Sequence, residues 1–184
     1  SMLNPDPWTL SSVPVGFRGP NDQNGNYDAN DDISINDFRA KMNWHAIDPI
    51  FYSSQRPDGI SDEDISDWRA RRVLINELFP NTDLVPGQLQ TIFTLDLDYK
   101  PNQRGMYNYN PQATDNTLPE PEDNFGGIMR GMQTTNFERA NVEFVEFWVM
   151  DPFIYQENAT NNGGKLVLNF GSMSEDILKD GRKQ

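Results

Sequence analysis

Residues 88–99 read QLQTIFTLDLDY, and their apolar and polar residues alternate almost without interruption. A period of two is typical of a strand with one buried face and one solvated face. One face carries Leu89, Thr91, Phe93, Leu95, Leu97 and Tyr99, and the other carries Gln88, Gln90, Ile92, Thr94, Asp96 and Asp98. The stretch therefore predicts a half-buried antiparallel strand with one wet face.

Strand signals also occur on both sides of this stretch, in residues 38–47, 71–79, 126–134, 142–150 and 165–170. The first of these alternates, with its larger apolar groups on one face. Residues 142–150, VEFVEFWVM, are apolar on both faces, which is typical of a central strand of a β-sandwich.

Helix signals are few and short. Ser61 followed by Asp64 is a good N-terminal cap for one or two turns within residues 57–69. Residues 137–141 are predicted to form a turn, and Ser174 can cap a short helix at residues 175–178. Because strands and helices do not alternate regularly, the fold class is predicted to be mainly β: an antiparallel β-sandwich of the jelly-roll kind, with one or two short helices and long loops.

The domain organisation follows from composition. Residues 1–2, Ser-Met, are interpreted as vector-derived, which makes the chain an excised piece of something larger. Residues 3–37 are predicted to be an extended, loop-rich N-terminal segment, because prolines and an Asn/Asp/Gly run interrupt it. Residues 38–184 are predicted to form the β-sandwich domain. Within them, the long loop at residues 100–124 is expected to be functional or packed by its own aromatic side chains.

Charge and composition exclude several classes of function. The net charge is −13, so binding to nucleic acid is not expected. No apolar run is long enough for a membrane-spanning helix. The chain has no cysteine and a single histidine, His45, which removes most zinc sites and charge-relay arrangements. His45 falls on the wetter face of its strand and is interpreted as a surface residue.

A calcium loop is the first candidate site. Oxygen-bearing side chains occur at alternate positions, as calcium loops require: Asp28, Asn30, Asp32, Ser34 and Asn36. However, Ile33 stands where a glycine would allow the sharp turn, and Arg39 stands where an acid would close the loop. A solvated turn is the favoured interpretation, so no metal ligand or cofactor is assigned, and bound Ca²⁺ stays a secondary hypothesis.

Two other sets of residues are candidates for a catalytic or sugar-binding site. Glu143 and Glu146 lie on the predicted central strand, where Glu146 could be partly buried and serve one half of a glycosidase carboxylate pair. A structural pairing is favoured over catalysis, and no catalytic residue is assigned. Exposed aromatic side chains could stack on sugar rings; the set is Trp8, Trp44, Trp68, Trp148, Tyr107 and Tyr109. Trp44 and Trp148 are instead predicted to be core residues, and the two tyrosines are predicted to pin their own loop.

Longer blocks of the sequence resemble one known family. They are AKMNWHAIDPIFY at residues 40–52, RRVLINELFP at 71–80, LDLDYKPNQRGMYNY at 95–109, NFGGIMRGMQTTNFERANVEFVEFWVMDPF at 124–153 and GGKLVLNFGSMSEDILKDGRK at 163–183. The blocks are similar to SprA (Sov) family proteins, the giant outer-membrane proteins of Bacteroidetes type IX secretion and gliding motility. Phe125 stands where the family pattern suggests Trp, and Met106 where it suggests Pro.

This resemblance implies a soluble domain inserted into a large outer-membrane β-barrel that transports proteins. The domain would be exposed in the periplasm or at the cell surface, and the side is left open. Its partners would be other secretion-machinery proteins, the rest of its own chain and secreted cargo. Residues 137–171 also resemble galactose-binding-like sandwiches, in which an "FW" strand precedes an "L-x-L-x-x-G" strand.

Three functions are therefore weighed. The leading hypothesis is a non-catalytic structural module of the secretion translocon, and thus not an enzyme. The alternative is a calcium-dependent carbohydrate-binding module, which needs an ion at residues 28–36 and an exposed aromatic platform. A glycosidase is the third, and it needs two carboxylates converging in a cleft.

Overall fold

The computed structural model describes residues 2–14, 17, 33–85, 90–132, 136–139, 141–155 and 163–178. The chain divides into two compact units, and each is assembled from three separate stretches of sequence. The first unit comprises Ser1–Leu3, Ala46–Asp96 and Asn136–Val167, and the second comprises Asn4–His45, Leu97–Thr135 and Leu168–Gln184. Neither unit is a continuous piece of sequence.

Strands outnumber helices in the described residues. The strands are β1 (Thr9–Leu10), β2 (Ala40–His45), β3 (Val73–Leu74), β4 (Thr91–Ile92), β5 (Asp96–Arg104) and β6 (Ile128–Met129). The helices are α1 (Asp62–Ser66) and α2 (Ile75–Leu78), and 3₁₀ turns cover Ile33–Phe38, Pro49–Tyr52 and Pro121–Asp123. The strands form two-stranded sheets: β1 pairs antiparallel with β6, β3 pairs antiparallel with β4, and β2 pairs with β5. These elements confirm the coarse prediction of a mainly β chain with short helices and long connections.

The second unit has a small apolar core. Val13, Ile35 and Phe125 are buried, and the partly buried rings of Phe17 and Phe38 pack against them. The Phe17 and Phe125 ring centroids are 4.5 Å apart. Because three of these side chains come from residues 3–37, the loop-rich N-terminal segment contributes directly to the core of this unit.

Strand β2 is held on both sides by backbone contacts. On one side, the amide of Ala40 donates to the Phe125 carbonyl, and the amide of Phe125 donates to the Phe38 carbonyl. On the other side, the amide of Gly105 donates to the Arg39 carbonyl at 3.0 Å. A Cβ at Gly105 would lie 2.3 Å from the carbonyl oxygen of Ala40, so only glycine permits this close approach. The strand predicted at residues 38–47 is confirmed in its centre, and its buried side alternates as expected.

Helix α1 in the first unit begins at the predicted cap. The Ser61 hydroxyl accepts from the amide of Asp64, and the Asp64 carboxylate accepts from the amide of Ser61. The Asp64 carboxylate accepts from the Ser61 hydroxyl as well, and the hydrogen bonds from the Ser61 amide and hydroxyl hold the pKa of Asp64 below its usual value. This reciprocal pair satisfies amides that have no partner within the helix, which explains why so short a helix forms here.

The strand predicted at residues 71–79 is wrong beyond its first half. The chain pairs only at β3 and then turns into α2, because the Glu77 carboxylate accepts from the amide of Leu74 and from Arg71 Nη1. The hydrogen bond from the Leu74 amide lowers the pKa of Glu77. A side chain that bonds the local backbone therefore overrides the β-branched composition of this segment.

The long alternating strand differs from the prediction in its burial. Residues 90–104 contain two strands, β4 and β5, and residues 86–89 lie outside the described part. Leu97 and Tyr99 on β5 are 46% and 40% exposed, whereas Asp96 and Asp98 are half-buried. The face predicted to be buried is therefore the more exposed one in β5, although Tyr99 donates its hydroxyl to the Asn124 carbonyl.

Residues 142–150 are the largest departure. The predicted central strand forms no regular element and belongs to no sheet, and all nine residues are exposed. The strand predicted at residues 165–170 and the helix predicted at residues 175–178 do not form. Of the strand predicted at residues 126–134, the described residues contain only β6. The turn at residues 137–141 is confirmed by the hydrogen bonds Asn141 N–H to Glu138 and Val142 N–H to Phe137. Among the described helices, none has the length and apolar character needed to cross a membrane.

Candidate functional site

The most deeply buried polar group of the second unit is the guanidinium of Arg39, whose side chain is fully buried. It lies between the 3₁₀ turn and β2, and Nε and Nη2 both donate to Asn36 Oδ1 at 3.0 and 2.9 Å. Nη1 donates to the Ser11 carbonyl at 2.9 Å, and Nη2 also donates to the Ile177 carbonyl at 3.1 Å. One side chain thus joins three stretches of chain that are distant in sequence.

The charge of Arg39 is compensated by uncharged groups. Within the described residues, its hydrogen-bond acceptors are all amide or backbone oxygens. The guanidinium also lies 4.9 Å from the centroid of the Phe125 ring. Burial lowers the pKa of Arg39 to about 10. The group therefore remains a cation at neutral pH and acts as a fixed hydrogen-bond donor, not as an acid or a base.

Two asparagines fix the loop that follows β5. Asn108 is 4% exposed, and its Nδ2 donates to the carbonyls of Arg39 and Asp37 at 2.7 and 3.0 Å. Asn110 Nδ2 also donates to the Asp37 carbonyl, at 3.1 Å. In contrast, Tyr109 is 80% exposed, so the prediction that this tyrosine pins the loop is wrong. Tyr107 is half-buried and has a φ of 60°, a conformation that few non-glycine residues adopt.

We name Arg39, Asn36, Asn108 and Asn110 the amide cluster. Its groups are one guanidinium and three neutral amides, which provide neither a nucleophile nor a general base at neutral pH. What the cluster does is join the 3₁₀ turn, β2 and the loop after β5 through buried hydrogen bonds. Its role in the fold is therefore to hold backbone segments in place.

The predicted calcium loop is only partly within the described residues. Asp28, Asn30 and Asp32 lie outside them, and Ser34 is exposed in the 3₁₀ turn. The fifth position, Asn36, is buried, and its side-chain oxygen already accepts two hydrogen bonds from Arg39. A cation beside that oxygen makes Asn36 unsuitable as a calcium ligand. In the described part of the chain, no group of three or more acidic or histidine side chains could hold a metal ion.

The two carboxylates considered for glycoside hydrolysis do not form a buried pair. Glu143 and Glu146 are both exposed within residues 142–150, so the expectation that Glu146 is partly buried is wrong. His45, expected at the surface, is exposed at the end of β2.

The tryptophans have separate environments. Trp68, in the first unit, donates Nε1–H to the Asp151 carbonyl at 2.9 Å, and its ring contacts Tyr155 edge-on at a centroid distance of 5.3 Å. Trp44 is half-buried in β2, and Trp8 is half-buried 5.7 Å from the guanidinium of Arg130. Trp148 is 67% exposed, so its prediction as a core residue is wrong.

A cavity of about 310 Å³ lies in the second unit, beside the close contact of β2 with Gly105. Its lining consists of two cations, three amides and apolar or small residues: Lys41 and Arg104; Asn43, Gln103 and Asn116; Leu10, Ala40, Met42, Gly105 and Met106. Among these lining residues there is no carboxylate, so the cavity does not present the pair of acids that a glycosidase requires.

Sequence reasoning missed the amide cluster. The alternation of residues 38–47 places Arg39 on the wetter face of the strand. The prediction for the loop at residues 100–124 rests on its tyrosines and not on its asparagines. A usable signal was present in YNYN at residues 107–110, because asparagines spaced by two in a loop can bond the local backbone while the intervening side chains face away.

A scan against protein-family models finds no match to the chain, and a search of curated proteins finds no similar sequence.

Proposed function

We propose that this chain is a non-catalytic structural module of an outer-membrane protein-secretion translocon, of the kind that serves type IX secretion and gliding motility. Two lines of evidence support the proposal. The first is the ordered set of sequence blocks that resemble SprA-like proteins. The second, which carries the structural argument, is the exposed apolar segment at residues 142–150.

This segment has the properties of a strand without its neighbour. Seven of its nine residues are apolar, and their exposed fractions run from 42% to 77%. Within the described part of the chain, no backbone–backbone hydrogen bond involves residues 143–150. A contiguous exposed apolar stretch usually marks an interaction surface. A segment whose backbone donors and acceptors are unused can also add as a strand to the edge of another sheet.

The occupant that we propose for this segment is a neighbouring β-strand from the rest of the same longer chain. Residues 165–170 are also apolar and exposed, since Leu166, Val167, Leu168 and Phe170 are between 49% and 63% exposed. With both segments paired, the module would have additional strands for the antiparallel, jelly-roll or galactose-binding-like sandwich that the sequence pattern favours. The proposed role of the module is to pack and gate within the translocon, in contact with other secretion-machinery proteins and with cargo.

Hydrogen exchange tests the proposal directly. The amides of residues 143–150 are expected to exchange rapidly in the isolated chain and slowly in the intact outer-membrane protein. Residues 96–104 in β5 are the internal control, because they are paired and are expected to be protected in both. Rapid exchange of residues 143–150 in the intact protein would contradict the proposal.

A matched pair of variants tests the function in cells. Trp148→Asp places a charge in the segment, and Tyr109→Asp places one on an equally exposed aromatic outside it. In the full-length protein, Trp148→Asp is expected to reduce export of cargo while the level of the outer-membrane protein stays unchanged. Tyr109→Asp is expected to have no effect on export. Equal export by both variants would argue against a role for the segment in the translocon.

A further inference from the structure

The cavity in the second unit combines a small volume with a cationic, partly apolar lining. Its volume of about 310 Å³ is near the lower end of the range for small-molecule sites. Lys41 comes from β2 and Arg104 from the end of β5, so both cations stand on paired strands. Apolar residues, among them Leu10 and Met106, complete the lining.

Four basic residues of the described chain are paired with acids, whereas the two cations of the cavity are not. Arg56, Arg69, Arg71 and Lys100 each form an ion pair with a carboxylate, at 2.6–3.2 Å. No carboxylate partner is found for Lys41 or Arg104 among the described residues. Arg104 uses Nη2 for the Asn110 carbonyl at 3.1 Å, and its Nε is buried without a hydrogen-bond partner. Like Arg39, these two half-buried cations therefore have no acid partner in the described part of a chain whose net charge is −13.

We propose that this cavity binds an organic carboxylate with a short apolar chain. The carboxylate would be held by Lys41 and Arg104, since charge-assisted hydrogen bonds to a carboxylate suit both side chains. The apolar chain would lie against Met106, and the amide of Asn43, on the same face of β2 as Lys41, provides a further donor. This site is independent of the proposed translocon function, because it uses neither residues 142–150 nor a second protein.

Titration of the full 184-residue chain with hexanoate tests the site. Binding is followed by calorimetry and by amide chemical shifts in β2 and β5. Hexanoate is expected to bind about tenfold more tightly than acetate, because its longer chain buries apolar surface. Hexanol and sulfate, which carry only the apolar chain or only the charge, are each expected to bind more weakly than hexanoate. Binding of sulfate as tight as that of hexanoate would overturn the proposal.

Charge-removing variants locate the site. Lys41→Gln and Arg104→Gln are each expected to weaken hexanoate binding about tenfold, the usual effect of losing a hydrogen bond to a charged group. Lys100→Gln is the matched control, because Lys100 stands on the same strand as Arg104 but is paired with Asp98 outside the cavity. If Arg104→Gln fails to fold, Lys41→Gln decides the outcome. Unchanged affinity in Lys41→Gln, or equal weakening in Lys100→Gln, would refute the site.

The apolar part of the site has its own test. Met106 is 63% exposed, so Met106→Ser is expected to leave the fold intact. This variant should weaken hexanoate binding and leave acetate binding unchanged. Equal effects on the two ligands would show that Met106 does not contact the apolar chain and would contradict the proposal.

Discussion

Phe125 and Phe144 occupy similar sequence contexts but contrasting environments. Phe144 lies in the strand predicted at residues 142–150 and Phe125 directly precedes the one predicted at 126–134, yet Phe125 is 7% exposed and Phe144 is 77% exposed. The backbone of Phe125 bonds to Phe38 and Ala40, and its ring is packed against Phe17 and the guanidinium of Arg39. The comparison teaches that an apolar pattern identifies a segment that needs a neighbour, whereas only the neighbour makes it a buried strand.

The largest expected effect separates these two phenylalanines. Phe125→Ala should lower the free energy of unfolding by about 3–5 kcal/mol, because it removes a packed ring and leaves a cavity. Phe144→Ala should change it by less than about 0.5 kcal/mol, because the ring is exposed. Urea unfolding followed by circular dichroism measures both. Similar losses in the two variants would show that residues 142–150 are packed in solution.

The amide cluster should be nearly as sensitive. Arg39→Met is expected to cost about 3 kcal/mol, because Asn36 Oδ1 and the Ser11 and Ile177 carbonyls lose their buried donor. The matched control is Arg69→Met. Arg69 is exposed and paired with Asp67 at 3.2 Å, and its loss should cost under about 1 kcal/mol. A stability of Arg39→Met equal to that of the control would refute the role given to Arg39.

The YNYN loop provides a smaller contrast within two neighbouring residues. Asn108→Ala should cost about 2 kcal/mol, because the Asp37 and Arg39 carbonyls lose hydrogen bonds. Tyr109→Ala should be close to neutral. Thermal unfolding of the two variants checks the assignment, and a greater loss in Tyr109→Ala would restore the original prediction that the tyrosine pins the loop.

Helix α1 belongs to the same unit as residues 142–150 but depends on local contacts. Ser61→Ala should cost about 1 kcal/mol through loss of the cap. Because the folded pKa of Asp64 is lowered, its contribution is complete above its unfolded value of 3.8 and is lost as the pH falls through the folded pKa. Stability of the wild-type chain should therefore decrease at acidic pH more steeply than that of Ser61→Ala.

The control for this helix is Ser66→Ala, since Ser66 contacts the Glu63 carbonyl and does not cap the helix. It should retain the acid dependence of the wild-type chain. A pH profile of Ser61→Ala that superimposes on the wild-type profile would contradict the contribution of the Ser61 hydroxyl.

The smallest expected effect concerns calcium. Because the Asn36 oxygen is occupied by Arg39, adding millimolar Ca²⁺ or a chelator should not shift the unfolding temperature beyond measurement error. A ligand that binds only the native state would raise it. A clear increase with calcium that a chelator reverses would contradict this expectation and would favour the alternative function of calcium-dependent carbohydrate binding.

The features that could be predicted from sequence are those set by local chemistry. The Ser61 cap, the turn at residues 137–141 and the alternation of β2 depend on residues close together in sequence, and all three are confirmed. The burial of β5 and of residues 142–150 depends on which segments pack against them, and a period-two pattern does not identify those segments. The role of Arg39 was missed for the same reason, since two of its acceptors are the Ser11 and Ile177 carbonyls.

The hydrogen bond from Arg39 to the Ile177 carbonyl spans 138 positions of the chain. During synthesis, residue 39 leaves the ribosome long before residue 177, and until then its guanidinium lacks that acceptor. Contacts of such long sequence separation slow folding, because a large loop must close before they form. The second unit should therefore acquire resistance to proteolysis only after residue 177 has been translated, and stalled nascent chains lacking residue 177 should remain sensitive to protease.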